Sequence, residues 1–166
     1  MAKYIEIAAG ALREVVALVT SAGAGDAGKI VSLDGTGKLD TSVLPVGIGA
    51  DTKIITTSEA LAAGDWVNIH SSTGSKARKA DATTAGKEAM GFVLAAFGAA
   101  APATVYFEGT NTMVSGQTPG KVYLATTAGL GTTTPPSTAG NIVQSIGFAL
   151  SATEVNFNAG IPVTLA

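Results

Sequence analysis

At 166 residues the chain has room for one domain and an arm. It carries 12 Asp and Glu against 10 Lys and Arg for a net charge of −2, with one His and no Cys, so disulfide frameworks, thiolate metal sites, iron–sulfur clusters and cysteine nucleophiles are excluded, and the near-balanced charge leaves no electrostatic footprint for duplex nucleic acid. Thirty Ala, 21 Gly and 21 Thr fill 72 positions while charged residues make up 13%, about half the roughly 25% of an ordinary soluble domain, so much of the surface is expected to lie against other protein.

The start, Met1-Ala2-Lys3-Tyr4-Ile5-Glu6, lacks the basic region and apolar core of a secretory signal, and export by that route is not expected. Short β-rich apolar runs predict strands at 4–8, 14–19 and 29–33. Residues 8–19 could alternatively be helical, although Val15, Val16 and Val19 lose side-chain freedom in a helix. Between these runs, Ser21-Ala22-Gly23-Ala24-Gly25-Asp26-Ala27-Gly28 reads as a flexible loop. Asp34-Gly35-Thr36-Gly37 reads as a hairpin or tight turn, and Pro45, Gly47 and Gly49 end the segment. Residues 1–50 therefore form an N-terminal arm with a β-hairpin, expected to pack when a neighbour is present.

The body, 51–166, is expected to hold strands at 53–56, 66–69, 76–80, 91–96, 104–108, 121–125, 141–151, 154–158 and 162–165, with 58–63 as the other helical candidate. Breaks every 8 to 12 residues or so give the spacing of an all-β sandwich, jelly roll or small barrel. Residues 90–107 run 18 positions without a charge. Gly91, Gly98, Pro102 and the strand-forming Thr104-Val105-Tyr106-Phe107 favour two strands and a small-residue loop over a membrane helix. Three landmarks recur: Gly64, Gly86 and Gly91-Phe92 return as Gly120, Gly140 and Gly147-Phe148 at offsets of 56, 54 and 56. The offsets suggest that two similar β-units, 62–108 and 118–166, stack to bury one core.

Candidate chemistry along the chain has a plainer reading at each point. Gly23 to Gly28 matches G-x-G-x-x-G, and Gly23 to Lys29 matches the phosphate loop up to Ile30, which replaces the metal-binding Ser or Thr. Both motifs need a helix start after the glycines, and Ile30-Val31-Ser32-Leu33 reads as strand. His70 with Ser71 and Asp65 would be the only hydrolytic set, but neighbours on a strand point to opposite faces. Asp34 and Asp40 lack the alternating acidic pattern of a calcium loop. Lys76, Arg78 and Lys79 read as a solvated strand face, and Trp66, Tyr106 and Phe107 as core anchors. No catalytic residue, cofactor site or metal site is assigned. The strongest positive signal is an absence of charge: in the 58 residues from Gly109 to Ala166, Lys121 and Glu154 alone are charged. Threonine supplies polarity there without the desolvation penalty of a buried ion, which suits a close-packed protein interface.

Five segments carry a resemblance. Ala27-Gly28-Lys29-Ile30-Val31-Ser32-Leu33-Asp34-Gly35-Thr36-Gly37-Lys38-Leu39-Asp40-Thr41-Ser42-Val43-Leu44-Pro45 is similar to a segment recurrent in tailed-bacteriophage structural proteins, fibre-like ones included. Ala62-Ala63-Gly64-Asp65-Trp66-Val67-Asn68-Ile69, Lys76-Ala77-Arg78-Lys79-Ala80-Asp81-Ala82, Ala89-Met90-Gly91-Phe92-Val93 and the run from Pro119-Gly120-Lys121-Val122-Tyr123-Leu124 to Ala152-Thr153 resemble head decoration, or capsid cement, proteins. The resemblance implies a non-enzymatic virion protein on the outer capsid surface, assembled in the host cytoplasm. Its implied partners are the major capsid protein and further copies of itself, as a homodimer or homotrimer, with no direct contact with nucleic acid or membrane. The body would pair with itself while residues 2–44 lie over capsid subunits. Tyr4, Ile5, Ile30, Leu33, Leu39, Leu44, Trp66 and Tyr123 are the candidate contacts with capsid and with other copies. The alternative is a tail-fibre or tail-tip module that binds a receptor.

Overall fold

The computed structural model describes residues 2–44 and 50–166, and the expected break at Pro45, Gly47 and Gly49 lies outside them. The chain divides into two compact units, Met1–Gly49 and Ala50–Ala166. In the first, β1 (Lys3–Ala8) pairs antiparallel with β2 (Ala11–Val16). The two-residue turn is Ala9 and Gly10, both left-handed at φ 51° and 80°, the turn whose twist matches that of the flanking strands. Thus 8–19 is hairpin rather than helix. The expected strand at 29–33 shrinks to one parallel bridge between Leu18 and Val31, flanked by hydrogen bonds from Leu18 N–H to Ile30 O and from Ser32 N–H to Leu18 O, both 2.8 Å. Among the described residues of this unit, three-residue 3-10 turns at Ala24–Asp26 and Thr41–Val43 are the helical elements.

The second unit is all-β. β3 (Thr52–Thr57), β4 (Trp66–Ser71), β5 (Ser75–Lys79), β6 (Gly91–Phe92) and β7 (Pro102–Tyr106) close a barrel in the order β5-β4-β6-β7-β3, sealed by a parallel β3–β5 pairing. Residues 90–107 thus form two strands joined by a loop, and 58–63 is a turn plus a bridge from Leu61 to Phe97, not a helix. Next come β8 (Gly109–Asn111), β9 (Gly120–Leu124), β10 (Gly131–Thr132), β11 (Ile142–Val143), β12 (Ser145–Ser151), β13 (Glu154–Phe157) and β14 (Val163–Thr164). Five of them make an open sheet in the order β10-β9-β12-β13-β8, while β11 pairs with β14. Sequence reading missed β8 and β10, which are short, and ran 141–151 together where Gln144 interrupts it.

The barrel and the open sheet share one connectivity. Numbering each set of five along the chain, both run third, second, fourth, fifth, first, with corresponding neighbours antiparallel. They differ in closure: β3 and β5 join, whereas β8 and β10 remain edges.

Alternation along the strands builds two cores. Val67, Ala77, Val93, Ala103 and Val105 fill the barrel with Ile55 and Leu61. Trp66 and Phe92 point out of the barrel into a second cluster with Val122, Leu124, Ile146, Val155 and Phe157 from the open sheet. Trp66 stacks on Phe157 at 5.4 Å and meets Phe92 edge-on at 5.7 Å. The seam is pinned by buried amides. Gln144 donates to Ala89 O (3.0 Å) and accepts from Ala89 N–H (2.8 Å), and Asn111 donates to Gly64 O (2.9 Å).

Candidate functional sites

Two faces stand out, one in each unit. In the hairpin, paired residues share a face. Lys3, Ile5, Ile7, Leu12, Glu14 and Val16 lie on one side, and Tyr4, Glu6, Ala8, Ala11, Arg13 and Val15 on the other. The second side is the more covered. The first exposes Ile5 at 63%, Ile7 at 73%, Leu12 at 74% and Val16 at 45%. Its two charges neutralise each other through a 2.5 Å Lys3–Glu14 ion pair, and Glu6 pairs with Arg13 behind it. Among the described residues of this unit, Ala17 is the one fully buried side chain. Four aliphatic side chains on a neutral face with no core behind them form a surface suited to another protein.

The rest of the first unit is held by carboxylates. Asp26 takes Lys29 Nζ (2.6 Å) and Ala22 N–H (2.7 Å), and the Lys29 contact, with the Ala22 bond behind it, holds its carboxyl below the ordinary range. Asp34 accepts from Lys38 N–H, Thr36 Oγ1 and Thr36 N–H, which depress it likewise, and Asp40 is lowered by Ser42. The Asp34 loop is therefore a side-chain-bonded tight turn, the second of its two expected forms, and not a strand-flanked hairpin. The glycine loop at 23–28 itself holds a 3-10 turn of three residues, Ala24–Asp26, and runs on into the Val31 bridge, so no helix follows the glycines to present the amides a phosphate needs.

The second face is the side of the open sheet turned away from the shared core. Lys121 and Tyr123 of β9, Phe148 and Leu150 of β12, and Glu154 and Asn156 of β13 occupy it, alternating with the buried Val122, Leu124, Ala149, Val155 and Phe157. Phe148 is 46% and Leu150 59% exposed, and Lys121 Nζ lies 6.0 Å from the Tyr123 ring centre.

The sequence candidates fall into three groups. Ile5, Ile30, Leu33 and Leu39 are exposed, while Tyr4, Leu44 and Tyr123 are half-buried. Trp66, expected at an interface, is a correction: at 1% exposure it is the hub of the aromatic core. Sequence reading missed Ile7, Leu12, Val16, Phe148 and Leu150. Periodicity could have found the hairpin face, since 5, 7, 12 and 16 share a side only in the Ala9-Gly10 register.

Catalytic geometry does not assemble around His70. Its Nε2 lies 2.9 Å from Ser58 Oγ, a hydroxyl that also reaches Ala77 O at 3.3 Å, and Ser71 takes no part. Asp65 is buried, accepting from Ala62 N–H (2.7 Å) and pairing with Lys79 at 3.4 Å. Lys79 is thus tied to that carboxylate, and Arg78 bonds Asn68 Oδ1 (2.9 Å) and Gly86 O (2.6 Å), so these cations brace the barrel. Beside Asp65 a cavity of about 230 Å³ opens between barrel and sheet, lined by Trp66, Met113, Gln117 and Gly129 among others. Among the described residues there is no cluster of three metal-ligating side chains, and no helix is long and apolar enough to cross a membrane. Family models, curated proteins and solved structures yield no match to this chain.

Proposed function

We propose that this chain is a non-enzymatic virion structural protein, a decoration or cement protein that binds the outside of a tailed-phage head and stabilises it. The observation that carries the reading is the hairpin: an aliphatic, charge-neutral face that its own unit leaves uncovered. Two further features support it. One is the resemblance of 27–45 and of the body segments to such proteins. The other is the confinement of charge in 109–166 to Lys121 and Glu154.

In this reading the hairpin face of each copy, with Ile30, Leu33 and Leu39 nearby in sequence, lies against the major capsid protein. The β-body holds copies to one another. Many modest contacts repeated over a symmetric shell add to mechanical strength without any single tight bond. The full chain, labelled and added to heads lacking it, is expected to co-sediment with them and to decorate the head by electron microscopy. The variant Ile7→Glu/Leu12→Glu, which puts two carboxylates on the aliphatic face, is expected to stay unbound. Label on the tail, or equal binding by the variant, overturns the proposal.

A further inference from the structure

The open sheet repeats the barrel's connectivity without its closure, and this exposes a face whose counterpart is sealed inside the barrel. A bulge decides what that face carries. In the barrel, Trp66 faces Phe92 and Val67 faces Gly91. A shift of 56 would pair Val122 with Phe148, yet Val122 pairs with Gly147 and Lys121 with Phe148, because the register slips between Ser145 and Gly147. A one-residue slip moves side chains to the opposite face. Phe148, whose counterpart Phe92 is core, is thereby turned outward at 46% exposure, next but one to Leu150 at 59%.

The two charged side chains of 109–166 lie on this same face, on opposite sides of the central strand. Lys121 on β9 is level with Phe148, and Glu154 on β13 is opposite Ser151 at the far end of β12. We infer that this face pairs with the same face of a second copy, about a twofold axis running parallel to β12. Such an axis exchanges the flanking strands. It brings β9 of one copy over β13 of the other, with Lys121 level with Asn156 and thus two residues, about 7 Å, along the strand from Glu154, an offset that the two long side chains bridge in two symmetric cross-copy pairs. Phe148 and Leu150, on the strand nearest the axis, meet their own counterparts. A twofold perpendicular to the strands would instead stack β9 on β9 and β13 on β13, which keeps Lys121 of one copy away from Glu154 of the other and leaves both charges without an opposite partner. Face-to-face sheets separated by about 10 Å leave room for these side chains to interdigitate.

The inference rests on the proposed function only for its purpose, the joining of neighbouring copies, since it is tested on free protein without heads. Sedimentation velocity of the full chain is expected to show a concentration-dependent dimer. Phe148→Asp should abolish it while leaving the β-type circular dichroism intact. Lys121→Glu and Glu154→Lys should each weaken it about tenfold, and the double swap should restore it. Because the chain contains no Cys, Phe148→Cys and Leu150→Cys should each be joined to their own counterpart by a short bis-maleimide, which spans the gap between facing sheets that a disulfide cannot, and Lys121→Cys should not. A monomer at all concentrations, a trimer, a dimer indifferent to Phe148→Asp, failure of the double swap to restore pairing, or self-linking at position 121 overturns the inference. Failure to bind heads with pairing intact would overturn the proposed function alone.

Discussion

Gly91 and Gly147 press against the same place in two equivalent strand arrangements: a Cβ on Gly91 would lie 2.5 Å from Tyr106 O of β7, and one on Gly147 would lie 1.9 Å from Asn156 O of β13. Each glycine lets the fourth strand of its set approach the fifth. The other two landmark pairs also correspond, since Gly64, Gly120, Gly86 and Gly140 all have positive φ. The recurring glycines therefore mark positions where backbone geometry leaves no room for a side chain or disfavours one.

Alanine at these positions is expected to rank by what it meets. Gly147→Ala combines a carbonyl clash with φ at 140° and should cost about 3 kcal/mol or more. Gly91→Ala, with the clash alone, should cost about 1–3 kcal/mol. Gly140→Ala, at φ 83° with open space around it, should cost about 1 kcal/mol. Calorimetric melting of the three variants checks the order.

Removing the seam amide should destabilise the body without altering the hairpin. Gln144→Leu leaves both Ala89 N–H and Ala89 O unpaired in a buried site, at about 1–3 kcal/mol for each orphaned group. At roughly 2–4 °C per kcal/mol for a chain this size, a drop in Tm near 10 °C is the expected reading.

Ala9 holds φ 51° in the hairpin turn, a conformation that disfavours a Cβ and that asparagine tolerates better. Ala9→Asn should stabilise the hairpin by about 0.5–1 kcal/mol, read as slower amide exchange at Glu6 and Ala8, whose pairs with Arg13 and Ala11 are the hydrogen-bonded ones in this register.

Acid should loosen the turns of the first unit. The carboxyls of Asp26, Asp34 and Asp40 are all depressed in the fold by their hydrogen bonds. A depressed folded value makes the stabilising contribution fully present above the unfolded carboxyl range, near pH 4, and removes it as pH falls through the lowered values. Protection of the Thr36, Lys38 and Ser42 amides should hold from pH 7 to about 4 and decline below. In the body, burial pushes Asp81 up, but bonds from Thr83 and Lys87 outweigh it and leave that carboxyl lowered too, so the same window applies there. Asp34→Asn should make the Thr36 and Lys38 amides insensitive to pH over this range.

By itself the sequence determined the all-β class and most strand positions, because β-branched runs and glycine breaks act locally and recur at short range. The 56-residue offsets were also legible, since each landmark needs glycine for a backbone reason. Only the tertiary structure decided which copy of the repeat closes, because the β3–β5 pairing joins residues about 20 apart in sequence. It alone placed Phe92 in the core and Phe148 outside it. Both follow the landmark glycine of their set of strands, and their fates diverge through a single slip of register between β9 and β12. Turn chemistry hid the hairpin in the same way: Ala9-Gly10 is a weak local signal, and the pairing of Ile5, Ile7, Leu12 and Val16 on one face depends on a register that cross-strand contacts set.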